Sequence, residues 1–184
     1  MKRPGGGVGL AAVAGLALAC QPVDAGGTAA TGEPAAVAAP HVVAATPEEA
    51  GEYLVLVSGC NDCHTPGWMQ NGGQVEESGW LTGVPVGWRG PWGTTYAANL
   101  RLTAQNLTED AWVERLRAGA GRPPMPWMNA KHFDEGDMRA LYRFIRSLGP
   151  AGEPMPDAVP PDVEPSTPYM LMVPQGGGAS GAGD

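Results

Sequence analysis

Basic side chains are scarce in this chain of 184 residues. Lys and Arg together number 11 against 19 Asp and Glu, which gives a formal net charge of -8 at pH 7. Proteins that bind nucleic acids cluster Lys and Arg on one surface, and so few cations do not provide such a surface. We therefore expect no nucleic-acid partner.

Long hydrophobic runs are also missing. The longest, residues 8–19, holds about a dozen apolar residues, whereas a transmembrane helix needs about 20. Lys2 and Arg3 precede this run and Cys20 follows it, which is the order of an export signal. We expect residues 1–19 to be a signal peptide and the mature protein to be periplasmic.

The end of this signal, Ala17-Leu18-Ala19-Cys20, resembles that of bacterial lipoproteins. In that class the Cys becomes the lipidated first residue, so the resemblance implies a membrane anchor on Cys20. The alternative is an ordinary signal that is cleaved near Ala25 or Ala30.

Only the middle of the chain has the composition of a packed domain. Residues 20–45 and 151–184 are rich in Ala, Gly and Pro and show no apolar period, so little burial offsets the entropy of ordering them. We expect a flexible tether over residues 20–45, one small domain over residues 46–150, and an extended or disordered tail over residues 151–184.

Three helices are predicted within this domain. The first begins at a capping box formed by Thr46 and Glu49, and the others begin at Thr108 and Asp134. Gly119 ends the second helix, and Gly149-Pro150 ends the third. The first helix has apolar residues at helical spacing: Ala50, Tyr53, Leu54 and Val57. The third has a similar face: Met138, Leu141, Tyr142, Ile145 and Leu148.

The segment between Thr65 and Leu107 shows neither a helical nor a strand period for long. So long a stretch without regular structure counts against a compact domain, unless its loops pack on a large prosthetic group. All six Trp lie between Trp68 and Trp127, and such a lining suits a large flat apolar group. The predicted fold class is all-α, with long loops.

A Cys-x-x-Cys-His motif follows the first helix. Cys60 and Cys63 are one helical turn apart, so each thiol can add to one vinyl group of a haem, and His64 then lies against the iron. The other ring nitrogen of His64 is expected to donate to a carbonyl. The alternatives are a thioredoxin-like dithiol or half of a zinc site, but a βαβ pattern and a second cysteine pair are both lacking.

The sixth iron ligand is predicted to be Met125. It lies in Pro123-Pro124-Met125-Pro126, a stiff segment that loses little entropy when its side chain binds. Met128 is the second candidate, and its alternative role is to fill space beside Trp127. His132 is the third, and would give a lower potential than a Met ligand.

These motifs resemble the class I, single-haem cytochrome c family over residues 46–150. The shared pattern is a helix that enters Cys-x-x-Cys-His, a Pro-rich loop with Met-Pro, and a closing helix containing Leu141-Tyr142. Residues 95–100, with a following helix and Met-Pro, are similar to cytochrome c subunits of bacterial dehydrogenases. Residues 67–93 and the tail depart from the family pattern.

The resemblance implies a fold, a cofactor and further site residues. It implies one covalent haem c, and a crossing of the first helix, through Ala50 or Gly51 and Tyr53, with the last helix. It also implies side chains that bind the haem propionates, and the candidates are Trp92 or Trp112, Tyr96, Asn99 and Arg101.

The expected function is single-electron transfer to and from redox partner proteins, without a substrate of its own. The acidic chain favours partners that are locally positive. Two alternatives stay open: a haem enzyme or gas sensor with an open sixth position, and a haem subunit of a dehydrogenase complex.

Overall fold

The computed structural model describes residues 39–174, which hold six α-helices, one 3-10 helix and three strands. The α-helices are α1 (Pro47–Val57), α2 (Cys60–His64), α3 (Leu100–Asn106), α4 (Glu109–Ala118), α5 (Trp127–Ala130) and α6 (Glu135–Ser147). The strands are β1 (Val84–Gly90), β2 (Gly93–Ala97) and β3 (Tyr169–Leu171), and the 3-10 helix is Glu77–Gly79. The predicted signal peptide, Cys20, most of the predicted tether and residues 175–184 lie outside the described residues.

The three predicted helix starts are confirmed. Thr46 and Glu49 form the capping box of α1, and the Thr108 and Asp134 side chains accept backbone N–H groups at the starts of α4 and α6. Gly119 ends α4 in the left-handed conformation, with φ 56°. Local capping chemistry therefore sets these boundaries.

Helix α1 crosses α6 at a glycine. A Cβ built on Gly51 would lie 2.6 Å from Cβ of Phe144 and closer still to the Ala140 carbonyl oxygen. The face of α1 that is buried is therefore Ala50, Gly51, Leu54 and Val55. The predicted face was partly wrong, because Tyr53 and Val57 are 54% and 58% exposed. The missing side chain at Gly51 turns α1 so that its backbone approaches α6.

The all-α prediction is wrong, because the chain forms a mixed α/β fold. Strand β1 pairs with β2 as an antiparallel hairpin and with β3 in parallel, in the order β2-β1-β3. Val84, Val86 and Trp88 do alternate along β1, but Pro85 and Gly87 interrupt the pattern and normally argue against a strand. The segment predicted to lack regular structure thus contains β1, β2 and α3.

The described part of the tail lies along this hairpin. Thr94 and Val159 exchange two backbone hydrogen bonds, at 2.8 and 2.9 Å. The Arg89 guanidinium donates to the Val163 carbonyl at 2.8 Å and forms an ion pair with Glu164 at 3.2 Å. These contacts bring β3 to the open edge of β1.

Helices α4 and α6 enclose the other side of the core. Trp112, Val113 and Leu116 of α4 are buried together with Met138, Leu141 and Ile145 of α6. In the stretch 39–174, none of the helices combines the length and the apolar character needed to cross a membrane.

Candidate functional site

The Cys-x-x-Cys-His motif forms a short helix of its own, α2. Gly59, with φ 68°, separates it from the end of α1. Cys60 and Cys63 are free thiols, both half-buried. Burial raises the pKa of Cys60 to about 11 and also raises the pKa of Cys63, with a further contribution from the charge of Asp62. Both sulfurs are therefore protonated at neutral pH.

His64 is held in one orientation at the end of α2. The residue is 8% exposed, and Nδ1 lies 2.7 Å from the Ala98 carbonyl oxygen. Because a carbonyl only accepts, this contact assigns the proton to Nδ1 and leaves the lone pair on Nε2. Burial lowers the pKa of His64, and the hydrogen bond to Ala98 opposes part of that shift. A neutral imidazole with a free Nε2 lone pair is the form that binds a metal.

Backbone and side-chain contacts fix the turn that follows His64. The Thr65 hydroxyl donates to Asn61 Oδ1 at 2.6 Å and accepts the Leu81 N–H at 2.7 Å. The Gly83 N–H donates to the His64 carbonyl at 2.8 Å. Leu81 is fully buried at φ 59°, an uncommon conformation for a residue with a large side chain.

Sequence reasoning missed Ala98, Thr65 and Leu81 as positioning residues. The sequence predicts that the His64 ring donates to a carbonyl, but it does not indicate which residue provides that carbonyl. Ala98 follows β2 directly, so its place depends on a hairpin that the sequence pattern did not reveal. No local signal marks an alanine whose only contribution is its carbonyl.

Met125 lies on a segment that is hydrogen-bonded at both ends. The Thr95 hydroxyl donates to the Pro123 carbonyl at 2.6 Å, and the Trp127 N–H donates to the Met125 carbonyl at 2.8 Å. The Met125 side chain is half-buried against the core. Met128 is 64% exposed, and His132 is also exposed. Among the three candidate sixth ligands, Met125 is the one that lies against the interior.

Three of the side chains expected to bind the haem propionates each form hydrogen bonds with a different part of the protein. Tyr96 Oη lies 2.6 Å from the Thr167 hydroxyl. Asn99 caps α3 through Leu102 N–H, and its Nδ2 donates to carbonyls of the tail. Arg101 is buried, and its guanidinium donates to the carbonyls of Ser78, Leu148 and Gly149. Propionate binding by these three side chains stays a prediction, and each already has a protein partner.

Three buried side-chain donors have no hydrogen-bond partner within residues 39–174. They are Asn61 Nδ2, Trp92 Nε1 and Trp112 Nε1. A buried donor without a partner costs about 1–3 kcal/mol, so these atoms are candidates to bind an acceptor that the protein does not supply. The two indoles are also candidate propionate donors on the sequence pattern. Asn61 belongs to α2 itself, and its free donor, the two neutral thiols and the oriented imidazole form a set of groups that would fit a covalently attached haem.

Two cavities lie in this part of the fold, and the smaller one reaches the motif. One of about 310 Å³ lies between α3 and the tail, and Ala98, Asn99 and Met155 contribute to its wall. The other, of about 120 Å³, is lined by Cys63, Met69 and the apolar face of β1. Met125 and His64 line neither of these two cavities.

In residues 39–174, no three His, Cys, Asp or Glu side chains come together as a metal site. Comparison of the chain with protein-family models, with curated proteins and with solved structures finds no match.

Proposed function

We propose that this protein is a c-type cytochrome that carries single electrons. The observation that supports the proposal best is the arrangement of α2. Cys60 and Cys63 are one turn apart, and the hydrogen bond from His64 Nδ1 to Ala98 directs the metal-binding nitrogen away from that carbonyl. Protein thiols that add to haem vinyl groups and a neutral axial His are what covalent haem attachment needs.

The protein's contribution is to hold the ligands and exclude water. Cys60 and Cys63 would hold the haem covalently, and His64 and Met125 would bind its iron. When bound, haem supplies a reversible one-electron couple. The Ala98 carbonyl keeps the proton on His64 Nδ1 and increases the basicity of Nε2. As an iron ligand, the Met125 thioether would favour the reduced state.

The raised thiol pKa values disfavour a thioredoxin-like dithiol. Such a site needs a thiolate, and its attacking Cys has a lowered pKa. Here burial raises the pKa of Cys60 to about 11.

The proposal includes export to the periplasm and a lipid on Cys20, with electron donor and acceptor proteins met in brief, salt-sensitive encounters.

The first test is haem attachment to Cys60 and Cys63. The full chain is produced in a host that matures c-type cytochromes, and the pyridine haemochrome spectrum and intact mass are recorded. We expect one haem joined by two thioethers. Cys60→Ser and Cys63→Ser should each abolish the two-thioether spectrum, whereas Cys20→Ser should change only the lipid mass. A colourless wild-type protein with two reactive thiols would end the proposal.

The second test concerns the sixth ligand. Ferric wild-type protein should show the weak red absorption band of a Met–Fe(III) bond. Met125→Ala should remove the band, and Met128→Ala, at an exposed side chain, should keep it. A wild-type ferric spectrum that is high-spin and a ferrous form that binds CO readily would support a haem enzyme or gas sensor instead.

A further inference from the structure

An apolar surface surrounds Cys63 on one side of the sheet. Val84, Val86 and Trp88 alternate along β1 and therefore share one face. Met170 pairs with Trp88 across the β1–β3 ladder. All four side chains line the cavity of about 120 Å³ together with Cys63 and Met69. We name this the Cys63 face, defined by these six residues.

The Cys63 face is open to solvent at two methionines. Met69 is 55% exposed and Met170 is 41% exposed. Exposed apolar side chains that are grouped on one face mark an interaction site. Methionine side chains are flexible and polarisable, so they adapt to the shape of a partner.

Acidic side chains lie beside this face: Asp62 lines the same cavity, and Glu164 accepts a hydrogen bond from the hydroxyl of Tyr169, the neighbour of Met170. The charge of the chain is also divided along its sequence. Residues 39–88 carry six acidic side chains and no Lys or Arg, and residues 147–174 carry four and none. All nine basic side chains of the described chain lie between Arg89 and Arg146. Every residue of the Cys63 face belongs to the two acidic segments. The single cation at their boundary, Arg89, is paired with Glu164.

We propose that the Cys63 face is the docking surface for a redox protein with an apolar centre and a rim of Lys and Arg. The inference rests on the proposed function, because it makes Cys63 the point where the haem thioether meets the partner. The apolar centre would pack on Met69 and Met170. The basic rim would face the acidic segments and speed the encounter at low salt.

The test uses two cobalt(III) complexes of equal charge as probes. Tris(phenanthroline)cobalt(III) presents aromatic surface, and hexaamminecobalt(III) presents none. Each is titrated into the oxidised full chain and located by NMR chemical-shift changes. We expect the phenanthroline complex to shift Met69, Trp88 and Met170 at low salt. The hexaammine complex should show no such preference, because apolar contact is available only to the first probe.

A matched pair of variants gives the size of the effect. In Met69→Gln/Met170→Gln, affinity for the phenanthroline complex should fall about tenfold. The rate at which the reduced protein gives one electron to cobalt(III), producing cobalt(II), should fall by a similar factor. Val43→Gln, at a side chain 84% exposed in the same acidic segment, should change either quantity by less than about twofold.

The outcomes separate this inference from the proposed function. Equal binding by wild type and the double variant, with a normal haemochrome, would overturn the docking surface and leave the cytochrome assignment intact. Shifts confined to α4 and α6 would do the same. A dimer in sedimentation, with its contacts at β3, would assign the face to a second copy of this chain. Loss of the haemochrome in wild type would refute the proposed function itself.

Discussion

Arg101 is the residue whose surroundings differ most from its predicted role. Its guanidinium donates to three backbone carbonyls, two of them at the end of α6. Burial lowers its pKa, and the charge of Glu77 opposes that effect. We expect Arg101→Met to leave these buried acceptors without donors and to lower the free energy of unfolding by about 2–3 kcal/mol. Urea unfolding of Arg101→Met measures this, with exposed Arg122→Met as the control.

The two readings of Arg101 predict different spectroscopic results. If Arg101 only clamps α6, Arg101→Met that still folds should keep the wild-type reduction potential. A potential that falls while stability is unchanged would instead indicate that Arg101 binds a propionate, because removal of a cation favours the oxidised iron.

Gly51 makes the crossing of α1 and α6 possible. We expect Gly51→Ala to destabilise the protein by about 1–3 kcal/mol, because the added Cβ overlaps Ala140 and Phe144 of α6. In an open helix the same change stabilises by up to about 1 kcal/mol. Gly79→Ala is the control, since its Cβ would lie 3.5 Å from Val75, an ordinary contact. Thermal and urea unfolding of both variants would test this, and equal stability of the two would contradict the close approach.

Helices α4 and α6 are joined by ion pairs that respond to acid. Glu135 pairs with Arg139 at 2.7 Å and with Arg117 at 2.5 Å, and these hydrogen bonds lower its pKa below the usual 4.5. Because the folded pKa is below the unfolded one, the stabilisation is complete above about pH 5 and is lost as pH falls through the folded value.

The free energy of unfolding of Glu135→Gln should therefore change less with pH than that of wild type. We expect its free energy of unfolding to be lower than that of wild type at pH 7, and the difference should shrink as pH falls below 4.5. Unfolding curves across this range measure the effect. The control is Glu114→Gln, at an exposed residue of α4 with no ion pair among the described residues. Its free energy of unfolding should change with pH in the same way as that of wild type.

Elements with local signals were predictable, and elements that depend on distant pairing were not. Thr46, Thr108 and Asp134 cap their own helices, so the adjacent sequence determines where each helix begins. Strand β3, in contrast, exists because Tyr169 reaches Gly87, many residues earlier in the chain. The same distinction holds for the site: Cys60 and His64 follow from one motif, whereas the carbonyl of Ala98 depends on the hairpin.

At the scale of the whole molecule, the hairpin and the tail depend on each other. Strand β1 has an apolar face and, without β3, an open edge that could pair with another chain. The tail covers that edge through β3, through the bridge between Thr94 and Val159, and through the contacts of Arg89. Residues 151–174 thus pack on the domain, although their composition is acidic and rich in proline.

Removal of the tail should therefore promote association between chains without loss of haem binding. A chain that ends at Asp157 loses β3 and the bridge to Thr94, and we expect a lower melting temperature and concentration-dependent association through the bare edge of β1. The haemochrome should be retained, because Cys60, Cys63 and the bond between His64 and Ala98 lie outside the deleted segment. A chain that ends at Pro174 keeps every described contact of the tail and is the control. Sedimentation at several concentrations measures this association. A shortened chain that stays monomeric would mean that the exposed edge of β1 does not pair with a second chain.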